Sequence, residues 1–232
     1  MVMLRDAATV MLVKDLPDLH VFLCQRNVDS VWIAGASVFP GGAIDPDDRH
    51  PDWEARTEGW DDERASAALG IERGGLAFWV GAIRETFEEA GVLLARGRDG
   101  APVDASTPTL VEARDELNAG ELDFRTFVTN HDLVLSVDAL HSFSHWITPE
   151  GSPRRYDTRF FVTAAPAGAY EHDNAEIVAS TWLRPVDALV AAERGDLDLI
   201  FPTRKSLEVL AGYDRSADLL AAIREEARPC PT

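Results

Sequence analysis

Hydrophobic positions along the chain follow two periods, and the switches between them outline the elements. Residues 7–13 are a near-continuous apolar run, the pattern of a buried strand, and residues 20–26 read as its neighbour. The connection from Asp15 to Asp18 contains Pro17, as a hairpin turn should. A loop over 27–36 and a short strand over 37–39 lead to Pro40-Gly41-Gly42, where two glycines let the backbone turn sharply and approach a phosphate or a metal. Residues 61–69 have helical character, and Leu76, Phe78, Trp79 and Val80 are core residues leading into a second helix. In that helix Ile83 and Phe87, at i and i+4, bury one face, and Gly91 is placed to close it as a left-handed residue. A strand over 92–94 is expected to follow. Thr107 is the expected N-cap of a helix that starts at Pro108 and runs through Leu117, and 123–131 form another. Strand patterns return over 140–149, 154–162 and a segment ending at Trp182-Leu183; helices are expected over 185–193, 204–213 and 216–226.

Composition narrows the class. The 232 residues are 46% hydrophobic and 27% charged, which suits a globular domain with a sizeable core. The net charge of −18 argues against a nucleic-acid surface, and no apolar run approaches the roughly 20 residues of a membrane span. Cys24 and Cys230 are too few and too far apart for a disulfide framework or a zinc site. The first residues carry charge early and hold no signal-peptide core, so the expected location is the reducing cytoplasm.

The candidate chemistry sits on the helix that Ile83 and Phe87 anchor. Glu85, Glu88 and Glu89, at i, i+3 and i+4, project from one face, where they repel one another. An acidic helix is by default a solvated face. What rewards this arrangement is a hard divalent cation, Mg²⁺ or Mn²⁺, bound by carboxylates and substrate phosphates. Arg84 reaches Glu88 at i+4 and can hold one carboxylate in place. Farther on, Arg154, Arg155, Tyr156, Asp157 and Arg159 cluster at the opening of a strand, and the planar fork of Arg suits phosphate. His141 and His145, at i and i+4 in a strand, are expected on one side, as satisfied structural histidines.

Arg84-Glu85-Thr86-Phe87-Glu88-Glu89-Ala90-Gly91-Val92 resembles the second half of the Nudix box, with Thr86 at a position the family fills with an aliphatic residue. Phe39-Pro40-Gly41-Gly42 resembles its start. The spacing between the halves is much longer than the family pattern, so an insertion over about 45–77 is expected. The box's first acid falls on Asp48 when counted forward from Gly42 and on Leu76 when counted back from Arg84, with Asp45 an alternative. Residues 171–183 resemble the family segment in which an acid, here Glu176, precedes a strand ending in Trp. The resemblance implies an α/β Nudix fold: a mixed sheet sandwiched between helices (α/β/α), as one domain over 1–232. It does not cover the helical insert that the pattern predicts at about 106–131, and the same pattern gives C-terminal helices at about 203–226.

Within that family the chain is similar to the coenzyme A and acyl-coenzyme A diphosphatases with a lengthened box. The features are those above with Trp146-Ile147-Thr148-Pro149 and Arg155-Tyr156-Asp157-Thr158-Arg159-Phe160-Phe161. Of the other coenzyme A signature in the superfamily, Arg26, Gly35 and Phe39 match, whereas Cys24 and Val31 depart from it. The implied activity is hydrolysis of a diphosphate bond, in coenzyme A or acyl-coenzyme A, giving 3′,5′-ADP and an (acyl-)phosphopantetheine. ADP-ribose, NADH or a dinucleoside polyphosphate are the alternative substrates; a non-catalytic ligand sensor is the alternative of another class. The implied site comprises Glu85, Glu88 and Glu89 as metal ligands, Glu88 or Glu176 as general base, Arg84 as their support, and Arg26, Gly41, Gly42, Arg154, Arg155 and Tyr156 toward the substrate. A homodimer is compatible with this reading.

Overall fold

The computed structural model describes residues 2–27, 35–166 and 177–226. In chain order its first elements are strands β1 (Leu4–Asp15), β2 (Leu19–Arg26), β3 (Ser37–Val38) and β4 (Gly41–Ala43), then helices α1 (Asp62–Leu69) and α2 (Leu76–Ala90). The middle comprises β5 (Ala95–Gly97), α3 (Pro108–Asn118), α4 (Phe124–Asn130) and β6 (Leu133–Leu135). The last part holds β7 (His141–Ile147), β8 (Arg155–Ala164), β9 (Ile177–Leu183), α5 (Pro185–Arg194), α6 (Phe201–Leu210) and α7 (Ser216–Glu226).

The main sheet runs β3-β2-β1-β8-β7, with β4 paired to β1 and β9 to β2. β1 and β8 are parallel, in register from Leu4 opposite Arg155 to Val13 opposite Ala164; the other pairs are antiparallel. Alternation along β1 explains its unbroken apolar run. Ala8, Val10 and Leu12 join Trp79, Ile83 and Phe87 of α2 in one core, while Met11 and Val13 join Leu207, Leu219 and Ile223 of α6 and α7 in another. The sheet is thus covered on both faces, the α/β/α layering expected.

The segment over 45–77 builds its own packing. It contains two short 3₁₀ turns, Asp47–Arg49 and Pro51–Arg56, before α1. Trp53 is buried, its indole donates to Asp47 O at 2.8 Å, and its ring lies 5.6 Å from Phe124 of α4. Arg125 of α4 donates to Asp47 Oδ1 at 3.1 Å, so the two insertions brace one another. Gly75 has no side chain with which to cap α2. Instead Asp62 of α1 accepts from Gly74 N at 2.8 Å and Leu76 N at 3.0 Å, satisfying donors at the start of the helix. A Cβ on Gly75 would lie 2.3 Å from Ser66 N, so the close approach of the two helices requires glycine there.

Four expectations change. Val92 to Leu94 are buried but unpaired to any strand, and β5 begins only at Ala95. Thr107 has the N-cap backbone but makes no capping hydrogen bond. α6 starts at Phe201, which places Pro202 and Thr203 inside its first turn. His141 and His145 do not share a face, because an irregularity between Ser142 and Ser144 shifts the register. His141 stands opposite Val162 and accepts from Arg224 Nε of α7, whereas His145 stands opposite Arg159 and bonds Asp157 at 2.6 Å.

α4 provides a test of how a short helix is held. Asp123 accepts from Thr126 N at 2.7 Å and Thr126 Oγ1 at 2.8 Å, and the backbone N–H bond foremost lowers its carboxyl pKa. Asp123→Ala is expected to lower stability by about 1 kcal/mol at neutral pH in urea titrations. The wild-type advantage is full above the unfolded-state value of about 3.9 and vanishes as pH falls through the lower folded-state value.

Candidate active site

α2 carries Glu85, Glu88 and Glu89, and the Pro40-Gly41-Gly42 turn before β4 meets them. Gly41 N donates to Glu89 Oε2 at 2.8 Å, and Arg26 NH1 lies 3.9 Å from the other oxygen. Gly42 faces Glu85 so closely that a Cβ would fall 2.5 Å from Oε2. Gly41 in turn has φ +154° and lies against β1, where a Cβ would be 2.3 Å from Ala8 O. The two glycines therefore serve the carboxylates first: one donates to Glu89 and the other makes room for Glu85.

Glu85 and Glu89 line a cleft of about 690 Å³ together with Gly41, Gly42, Arg26, Arg154 and Tyr156. Glu88 is not part of its wall, because its Oε2 accepts from Arg84 NH1 at 2.9 Å. Arg84 is buried at 7% exposure and is the hub of the arrangement. Its Nε and NH2 form a fork on Asp48, both at 3.0 Å, NH2 also donates to Ala43 O at 2.9 Å, and NH1 lies 2.9 Å from Glu85 Oε1. Burial opposes charge on the guanidinium, but Glu85, Asp48 and Glu88 outweigh it and hold it protonated. Burial pushes Glu85 up to about 7, with Arg84 acting against it, and raises Glu88 and Asp48 as well. Asp45 adds a fourth carboxylate 3.8 Å from NH2, so one guanidinium faces four acids, of which burial leaves Asp48, Glu85 and Glu88 short of positive charge.

That shortage, in a set of hard oxygen donors at the foot of a cleft, fits a divalent cation such as Mg²⁺ or Mn²⁺. Among the described residues, no three His, Cys, Asp or Glu side chains converge as a metal cage. Arg84 and Gly41 N hold the glutamates instead. Glu85 and Glu89 are the two that could receive a cation from the cleft, with Glu88 shared between it and Arg84.

The helical insert supports this helix from below. Arg114 of α3 donates through Nε and NH2 to Glu88 O at 3.1 and 2.8 Å, and Asn118 Nδ2 adds a third bond at 3.3 Å. Carbonyls in the last turn of a helix lack intrahelical partners, so the insert satisfies the backbone that carries Glu88. Thr86 is fully buried, and its hydroxyl donates to Ala82 O at 2.7 Å, which reconciles a polar residue with an aliphatic position.

The other expected site residues divide. Asp48 keeps the box position counted from Gly42, yet it is buried against Arg84 and is neither a solvated turn nor a cleft-lining ligand. Arg155 is turned away: its Nε donates to Thr148 O at 3.1 Å, and it does not line the cleft. Glu176 lies outside the described residues, as do the other residues of 171–176. The cleft also has a wall that the sequence reading did not assign to substrate, formed by Trp146, Ile147, Ile200, Phe201 and Thr203. A signal that could have found it is the apolar pair Ile200-Phe201 ahead of Pro202.

Two substitutions separate the hub from the glutamates. Asp48→Asn removes the charge that Arg84 grips and is expected to cost about 3 kcal/mol in chemical denaturation. Gly42→Ala leaves the Arg84–Asp48 fork in place but displaces Glu85, so circular dichroism is expected to show a retained fold while cation binding, followed by calorimetry, weakens roughly tenfold or more.

Comparison with known proteins gives the family. The family model for the NUDT19 Nudix domain matches residues 59–207. The human acyl-coenzyme A diphosphatase NUDT19 is 30% identical over 235 residues, covering 86% of this chain and 62% of that protein. The chicken protein of the same name is 28% identical, covering 93% and 70%. The chain therefore spans about three fifths of the human relative's length. A solved NUDIX hydrolase from Alicyclobacillus acidocaldarius superposes with a TM-score of 0.78 at 26% identity, covering 95% of this chain and 97% of that one. With the family model matching more than half of its length, the chain belongs to the Nudix family, in the group of the NUDT19 Nudix domain.

Proposed function

We propose that this chain hydrolyses the diphosphate bond of coenzyme A or an acyl-coenzyme A, releasing 3′,5′-ADP and phosphopantetheine or its acyl derivative, in the cytoplasm. The observation that carries the reading is the placement of Glu85 and Glu89 at the foot of the cleft, each fitted to a glycine of the Pro40-Gly41-Gly42 turn. Relatives over most of the chain are named acyl-coenzyme A diphosphatases, which favours this substrate over other nucleoside diphosphates.

Glu85 and Glu89, joined by Glu88, would hold Mg²⁺ or Mn²⁺. Such a cation, when bound, neutralises phosphate charge and acidifies water. The chain's own residues do the positioning. Arg84 keeps Glu85 and Glu88 from repelling one another apart, and Gly41 N orients Glu89. Arg26, beside Glu89, and Tyr156 line the cleft where a diphosphate would lie, with Arg154 on its exposed rim to meet the 3′-phosphate. Glu88 Oε2 accepts from Arg84 NH1 at 2.9 Å, so Glu88 supports the site in this reading, and it and Glu176 remain the candidates for general base.

Chromatography of a substrate panel with Mg²⁺ tests the proposal. Coenzyme A and its thioesters are expected to yield 3′,5′-ADP; turnover of ADP-ribose or NADH with none of coenzyme A would overturn the substrate. Glu89→Gln is expected to lower kcat by about a hundredfold, the few kcal/mol a bound cation supplies. Chelation should abolish turnover, and restored Mg²⁺ at a hundred times its Kd should stabilise the fold by about 2.7 kcal/mol.

A further inference from the structure

The cleft does not end at the aromatic wall. Trp146 and Phe201 meet edge to face with ring centroids 5.5 Å apart, and both line the cleft. Trp146 also lines a second groove of about 380 Å³, bounded with it by Phe143, Ser144, Lys205, Ser206, Glu208 and Val209. The two spaces share Trp146 in their walls, and the groove's lining includes none of the glutamates.

Helix α6 supplies the track between them. Phe201, Lys205 and Val209 stand at i, i+4 and i+8 and so form one stripe along the helix, about 12 Å long. Phe201 is 61% exposed and Val209 50%, although α6 buries Leu207 and Leu210 on its opposite side. A lone exposed apolar residue is ordinary. Here the exposed residues are aligned, and they run from the cleft to the groove.

The groove's polar side chains are already engaged. Ser144 Oγ accepts from Trp146 Nε1 at 3.1 Å, Lys205 Nζ pairs with Glu208 at 2.6 Å, and Ser206 Oγ donates to Pro202 O at 2.9 Å. A nucleobase is selected by hydrogen bonds to its edges, and these groups offer it little. A hydrocarbon chain asks for none, and it gains from every methylene taken out of water.

We infer that the groove beside Trp146, lined by Phe143 and by Val209 of α6 and reached past Phe201 in the cleft wall, is a binding subsite for the acyl tail of a thioester substrate. The inference rests on the proposed function and deepens it, because it makes chain length a determinant of specificity. The diphosphate is held at the glutamates, the tail leaves across Trp146, and its outer carbons lie along the α6 stripe. Each methylene buried there contributes up to about fourfold in affinity, so a medium-length chain is expected to bind at least tenfold more tightly than an acetyl group.

The test compares free, acetyl-, octanoyl- and decanoyl-coenzyme A on the full chain and on Phe201→Ser and Val209→Asp. Both substitutions fall at exposed positions, and circular dichroism and melting temperature verify folding. Calorimetric titration without metal gives the affinity ratio of decanoyl- to free coenzyme A, and kcat/KM with Mg²⁺ gives the same ratio in turnover. The wild-type ratio should exceed about ten and fall toward one in either variant, through KM rather than kcat. A wild-type ratio near one, or a ratio that both folded variants retain, overturns the subsite. Absence of turnover on every coenzyme A species would refute the diphosphatase reading alone, since the calorimetric ratio decides the subsite without hydrolysis.

Discussion

A single guanidinium holds the acidic site together. Arg84 reaches β4 through Ala43 O, the start of the long insertion through Asp48, and its own helix through Glu85 and Glu88. Burying a charge among charges brings little net stability, because desolvation offsets most of the attraction. What it provides is position. With Arg84 in place, carboxylates that would repel one another on one helix face are spread around a common cation, and Glu85 stays against Gly42.

This arrangement explains how an insertion can enter between the halves of a motif without dismantling it. Asp48 stands 36 residues before Arg84, and a loop of that size adds little closure cost over a shorter one, since the entropy grows only with the logarithm of length. Each end of the insertion is fixed separately. At its start Asp48 is locked to Arg84, and at its end Asp62 caps the first turn of α2 while Gly75 lets α1 pack close. Between them Trp53 and Trp60 bury apolar area against α4 and α2, so the inserted chain adds to the core. The second insertion returns the support through Arg114, whose two bonds to Glu88 O steady the helix end that carries the glutamates.

How much of this could be read from the sequence depends on the range of the interaction concerned. The double-faced burial of β1, the two faces of α2 and the capping of α4 by Asp123 are local, and their spacing announces them. The resemblance of 84–92 to a known motif located the glutamates for the same reason. Val92 to Leu94 have strand composition but no strand to pair with, and pairing is a tertiary property. His141 and His145 were separated by a register shift that no period-two pattern reveals. Arg155 matches the motif yet spends its guanidinium on Thr148 O, while Arg154 beside it lines the cleft. Which of two adjacent arginines faces a site is set by the alternation of the strand, and its phase was not fixed by the charges alone.

The net charge of −18 sets the terms on which any anionic substrate must bind. At long range the field of this chain repels a diphosphate, though salt confines that repulsion to about 8 Å under physiological conditions. Association therefore gains nothing from steering, and affinity has to arise at contact. Three sources of contact are visible around the cleft. Under the proposed function the glutamates would take a cation that reverses the local charge, Arg26 and Arg154 would offer forks to phosphate, and the wall of Trp146, Phe201 and Ile200 offers burial that no salt can screen. The last of these is indifferent to the acidity of the chain. Under the proposed function, an acidic chain that holds a polyanion is served best by a substrate with a large apolar part, and a cleft lined by Glu85 and Glu89 as well as by Trp146, Ile200 and Phe201 suits that requirement.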